Sequence, residues 1–258
     1  MEKQAIIRVE NLTARYGENT ILDDISFDVF KGEVLVVLGG SGCGKSTLLR
    51  HMIGLSTPYS GRVLIDGVDI TSCDDAAYNI TLRKIGVLFQ SSGLFGSMTL
   101  AENIALPITE YSDLPKNSID NLVRMKLCMV ELQGYENYLP SELSGGMKKR
   151  AGLARAMALN PHILFLDEPT AGLDPVISAE IDELILHINQ SISTTMVIVT
   201  HELESIFGVA QRVIMLDKNT KGIIAEGDPI FLKNNSQNLS VRQFFNRQAK
   251  HVGTTGIK

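Results

Sequence analysis

At 258 residues, 44% hydrophobic and 21% charged, the chain has the composition of a folded globular protein, with room for one large domain or a core carrying an inserted lobe. Its 24 basic and 29 acidic residues leave a net charge of −5, which argues against a nucleic-acid partner, because phosphate-backbone affinity comes from clustered Lys and Arg. Cys43, Cys73 and Cys128 make no disulfide framework and fit a reducing compartment. The opening MEKQAIIRVEN carries no apolar signal core, and the longest apolar runs fall far short of the ~20 residues that span a bilayer. Any membrane role is therefore expected to come through a partner.

Short apolar runs alternate with longer helical patterns, the signature of an α/β protein with a largely parallel sheet. Residues 6–9 and 25–29 read as early strands, and 33–38 as a buried strand ending in glycine. A helix is expected over 45–55, then strands at 62–65, 85–89, 163–167, 196–200 and 213–217. Between 91 and 158 the strand signal disappears. Helical patterns around 101–106, 119–130 and 146–158, broken by Pro107, Pro115 and Pro140, read as a helical lobe inserted into the sheet domain. A main domain over 1–232 is expected, followed by an extension over 233–258 with a polar linker, a short helical SVRQFF and a disordered GTTGIK. Phe244 and Phe245 in that extension are hard to explain on an isolated monomer, so they are expected to dock on a neighbouring subunit.

Gly39, Gly40, Ser41, Gly42, Cys43, Gly44, Lys45 and Ser46 fit G-x-x-x-x-G-K-[ST], after a buried strand and opening a helix. Glycines let successive N–H groups face phosphates, and the helix N-terminus adds positive potential. Lys45 would reach the β- and γ-phosphates of ATP, and the Ser46 hydroxyl would ligate Mg²⁺; Thr47 follows as a further nucleotide-binding position. The run Ile163–Asp167 delivers Asp167 to the end of a strand, placed to hold Mg²⁺, with Glu168 beside it as general base for the attacking water.

Leu143, Ser144, Gly145, Gly146 and Met147 resemble the ABC signature, usually L-S-G-G-Q. Other motifs of that family stand in order around it. Tyr16 matches the aromatic that stacks on adenine, Gln90 the Q-loop, Asp174 the D-loop and His201 the switch histidine. The resemblance implies a P-loop (RecA-like) core with an N-terminal antiparallel β portion and an inserted α-helical subdomain. It also implies head-to-tail pairing of two copies, with ATP between the phosphate loop of one and Ser144, Gly145 and Gly146 of the other. His201 would then hold the γ-phosphate, while Gln90 would join Ser46 and Asp167 around Mg²⁺ and link the nucleotide to integral-membrane permease subunits. The catalytic set expected is Glu168, His201, Lys45 and Gln90.

From about residue 6 to 246 the chain is most similar to the Mla-type ATPases, on LSGGM followed by KKRAGLARAMAL, on FQSSGLFGSMT, and on the VRQFF tail. That resemblance implies phospholipid transport between bacterial inner and outer membranes, a seat on the cytoplasmic face of the inner membrane, an Mce-domain partner and a small regulatory subunit. The competing expectations are an importer of amino acids or metals, and a soluble ABC ATPase acting on nucleic acid. Plain structural roles are expected for the rest. His51, His162 and His187 read as surface or helix positions, Cys43 as a tolerated small side chain, Met125 and Met129 as core, and Lys148–Arg150 as a solvated helix face.

Overall fold

The computed structural model describes residues 4–247, so the tail GTTGIK lies outside the described residues. In chain order, β1 (Ala5–Tyr16) and β2 (Asn19–Phe30) precede β3 (Val34–Gly39) and α1 (Lys45–Met52). Next come β4 (Ser60–Ile65), β5 (Val68–Asp69), α2 (Asp75–Leu82) and β6 (Ile85–Leu88). The helices α3 (Leu100–Tyr111), α4 (Lys116–Met129) and α5 (Gly145–Ala156) follow. β7 (Ile163–Asp167), α6 (Pro175–Ile192), β8 (Thr195–Val199), α7 (Leu203–Val209) and β9 (Arg212–Leu216) return the chain to the sheet. β10 (Ile223–Gly227), α8 (Pro229–Asn235) and α9 (Leu239–Phe245) come last.

Strands buried on both faces make the central sheet. Val34, Val36 and Leu38 of β3 face one core while Leu35 and Val37 face another, and β7 and β8 alternate in the same way. Such strands read as unbroken apolar runs because helices or a second sheet cover each side. The sheet order is β10-β9-β3-β8-β7-β6, parallel except for β10. A four-stranded antiparallel sheet, β2-β1-β4-β5, packs with α1 over one face. The helical lobe, α6, α7 and α9 cover the other. Parallel order matters for chemistry, because β3, β6, β7 and β8 all present their C-terminal ends on the same edge.

Several expectations are corrected. The first two strands run to twelve residues each, since their pairing with β4 and with each other continues past the apolar stretches that signalled them. Pro107 does not end α3: a Thr99–Glu102 capping box starts the helix, and buried Ile104 and Ile108 carry it through to Tyr111. Met125 is 47% exposed rather than core. Position 232, the expected domain limit, falls inside α8. Phe245 needs no second subunit to be buried: it packs against Phe207 at 5.7 Å between ring centres and belongs to the core that covers the sheet. Among the described residues, no helix is long and apolar enough to cross a membrane.

Candidate active site

The phosphate loop depends on backbone that only glycine supplies. Gly39 ends β3 at φ 148, where a Cβ would sit 2.4 Å from the Leu216 carbonyl oxygen and 2.6 Å from Cys43 Sγ. Gly44 caps α1 at φ 102, and a Cβ there would lie 2.6 Å from Leu22 Cδ2. Gly40, Ser41, Gly42 and Ser46 are exposed, Thr47 is half-buried, and Cys43 is buried with its thiol pKa pushed up by burial. No side chain caps α1, so the first N–H groups of the helix stay available to a ligand. Lys45 Nζ donates to Gly39 O at 2.9 Å and Gly40 O at 3.3 Å, which holds its ammonium over the loop.

Asp167 and Glu168 arrive on β7. The Asp167 carboxyl is pushed above its ordinary pKa by burial and by Glu168 beside it, against the opposing pull of Lys149, Arg50 and Lys45. Its Oδ1 is buried without a hydrogen-bond partner among the described residues. Asp167 lines a cavity of about 470 Å³ together with Ser46, Arg50, Phe89 and Gln90. Carboxylate, hydroxyl and amide carbonyl oxygens are the donor set that suits Mg²⁺, and the orphaned Oδ1 is an acceptor such an ion would satisfy. Glu168 turns off the strand at φ 49, uncommon for a residue with a side chain, and its N–H donates to Val199 O at 2.8 Å. Its Oε1 lies 2.8 Å from His201 Nδ1, while Oε2 is buried and unpartnered. His201 itself is exposed at the end of β8. Beneath it, Thr170 Oγ1 donates to Glu202 Oε2 at 2.7 Å, anchoring the turn into α7.

Lys45, Ser46, Gln90, Asp167, Glu168 and His201 thus form one connected group on the sheet edge. Tyr16 stands at the end of β1 with 53% of its surface exposed, a free aromatic face. The signature residues belong elsewhere. Ser144 caps α5, accepting from Met147 N at 3.3 Å; it and Gly145 are exposed, whereas Gly146 is buried with Ile177 beneath it. Asp174 caps α6 by accepting from Val176 N and Ile177 N, both at 3.1 Å.

Two residues of the basic run were misjudged from sequence. Lys149 and Arg150 are 5% and 9% exposed, not a solvated face. The signal was present: Gly146, Lys149, Arg150, Leu153, Ala154 and Met157 recur at helical spacing, and that stripe is buried. Lys149 Nζ donates to Gln90 O and Glu168 O, each at 2.7 Å. Burial pushes its pKa down, opposed by Asp167, Glu168 and Glu202. Arg150 pairs with Glu131 and Glu180.

Comparison with known proteins agrees with this geometry. The family model described as ABC transporter matches residues 22–171, more than half of the chain. The "Probable ribonucleotide transport ATP-binding protein mkl" of Mycobacterium leprae is 41% identical over 251 residues, covering 97% of this chain and 71% of that protein. The "Intermembrane phospholipid transport system ATP-binding protein MlaF" of Haemophilus influenzae is 39% identical, covering 93% and 90%. The "Methionine import ATP-binding protein MetN" of Brucella abortus is 38% identical over 88% of this chain, but only 60% of that protein is covered. Among solved structures, the cassette MJ0796 in a dimeric post-hydrolysis state bound to ADP and Pi superposes with a TM-score of 0.78 at 30% identity, covering 86% of this chain and 98% of it. The cbiO1 subunit of the cbiONQ transporter from Clostridium perfringens gives 0.82 at 29% identity, covering 91% and 92%. With its phosphate loop, paired carboxylates and histidine on one sheet edge, the chain belongs to the ABC transporter family and is an ATPase that works on ATP with Mg²⁺.

Proposed function

We propose that this ATPase energises phospholipid transport between bacterial membranes, seated on the cytoplasmic face of the inner membrane against permease subunits. The observation carrying this reading is the span of the MlaF match, which takes in nine-tenths of both chains. The methionine importer relative, by contrast, has a large part with no counterpart here. LSGGM and the VRQFF tail point the same way.

In the proposed cycle two copies pair head to tail, each lending Ser144, Gly145 and Gly146 to the other's nucleotide. ATP binds along the α1 N-terminus, with Tyr16 under the adenine and Lys45 leaving the Gly39 and Gly40 carbonyls for the phosphates. Ser46, Gln90 and Asp167 would hold Mg²⁺, which supplies charge neutralisation at the β- and γ-phosphates. Glu168 takes the proton of the attacking water, and His201 fixes the Glu168 carboxylate through Nδ1 while keeping its other nitrogen for the γ-phosphate. Phe89 lines both the nucleotide-side cavity and an outer cleft of about 270 Å³ with Arg83, Pro107, Tyr111 and Arg155. A helical segment of the permease would seat there, so that Gln90 feels both nucleotide and membrane partner.

A second reading keeps the same chemistry in a small-solute importer, favoured by the methionine-import relative at nearly equal identity. Purifying the tagged chain from detergent-solubilised membranes separates the two. Copurification of a permease with an Mce-domain protein and phospholipid supports the first; a permease with a soluble solute-binding protein replaces it with the second.

A further inference from the structure

Lys149 is charged, 5% exposed and without an ion pair among the described salt bridges, an arrangement that costs more than an apolar residue would in its place. Its two hydrogen bonds explain what the charge does. One ammonium holds the main-chain carbonyls of Gln90 and Glu168, each at 2.7 Å, and these residues leave different strands, β6 and β7. Glu168 sits at φ 49, a conformation that needs such outside support. One turn further along α5, Gly152 packs so closely on the Gln90 loop that a Cβ would lie 2.8 Å from Ser92 O. α5 is therefore braced against the loop at Gly152 and tied to both active-site carbonyls at Lys149. Its free end is Ser144, five residues before the lysine.

We propose that Lys149 is a positioning residue that couples the two ATP sites of the dimer. The first turn of α5 meets the nucleotide held by the partner copy, and Lys149, on the same rigid helix, sets Gln90 and Glu168 of its own site. Engagement of the signature in one site thereby adjusts the base in the other. The inference rests on the head-to-tail dimer proposed above.

The test is steady-state ATP hydrolysis by the full chain as a function of ATP concentration, with nucleotide affinity measured separately by a fluorescent ATP analogue. The wild type should show a Hill coefficient above 1. Lys149→Met should hold analogue affinity within about twofold, lower kcat about tenfold and bring the Hill coefficient to 1, a split that separates binding from turnover. Lys149→Arg, which can still donate to two carbonyls, should restore most of kcat and the cooperativity. Should the Met variant not fold, Lys149→Gln keeps a neutral donor in place and should lower kcat severalfold at unchanged affinity. A Hill coefficient of 1 in the wild type would overturn the proposal. So would an unchanged kcat in the Met or Gln variant, or parallel loss of analogue affinity and thermal stability in the Met and Arg variants. Glu168→Gln run alongside keeps the two ideas apart. If it abolishes turnover while Lys149→Met leaves kcat and the Hill coefficient unchanged, the coupling fails and the ATPase assignment of Glu168 stands; if both variants turn over at the wild-type rate, the general-base assignment fails as well.

Discussion

Two helix N-termini in this chain follow glycine-bearing motifs, and they are built differently. α1 starts from Gly44 in a left-handed conformation with no side-chain cap, so first-turn amides are left open to a ligand. α5 starts from Ser144 in an extended conformation, and the serine hydroxyl already accepts from Met147 N. The first is a preformed anion cradle, held by contacts with Leu22, Leu216 and Cys43 that leave no room for a Cβ. The second satisfies itself and lies open to a partner. The carboxylates and His201 gather on the α1 side; in the head-to-tail pairing proposed above, the other copy's α5 would complete the site.

Four changes would break or sharpen this contrast. Glu168→Gln should lower kcat about a thousandfold while nucleotide affinity holds, because the shape of the α1 cradle is untouched; stopped turnover with retained analogue binding is the expected readout. Gly39→Ala should cost about tenfold to a hundredfold in ATP affinity, and about 1–3 kcal/mol of stability from strain at that φ, seen in calorimetry and thermal denaturation. Ser144→Ala should act on the other helix: about 1 kcal/mol of stability from the lost cap and a severalfold lower kcat, with monomer affinity for nucleotide unchanged in titration. If Ser144→Ala weakened binding as much as Gly39→Ala, the contrast between the two helices would collapse.

The smallest effect concerns α6, which carries Ile177 beneath Gly146. Asp182 on α6 has its pKa raised from 3.8 to about 6, first by burial and then by Glu202, against a hydrogen bond from Ser205. Because the folded state holds this proton more tightly than the unfolded chain, its contribution is fully present below about pH 3.8 and lost as pH rises through about 6. Asp182→Asn should therefore raise the melting temperature by a few degrees at pH 7.5 and flatten the fall in stability between pH 4 and 7, as followed by thermal denaturation across that range.

Much of the sheet was readable because β3, β7 and β8 are buried on both faces and so consist of unbroken apolar residues. α2, α7, α8 and β10 gave no comparable signal, being seven or eight residues or fewer, too short for periodicity to stand out. α6, at eighteen residues, was not singled out either, although Asp174 and Pro175 open it as a cap and first-turn pair. Met125 shows the limit of spacing arguments, since a helical pattern gives a face but not what covers it.

What the sequence determined by itself was the chemistry at fixed backbone positions. Gly39 and Gly44 are needed for conformations no other residue adopts freely, and Lys45, Ser46, Asp167 and Glu168 follow at spacings fixed by a strand, a loop and a helix. Only the tertiary structure decided which distant residues meet. Phe245 turned inward onto Phe207, and a lysine in a basic run became the buried tie between Gln90 and Glu168. Those outcomes depend on the packing of α9 and α5 against elements far away in the chain. Local propensity carries no information about that packing.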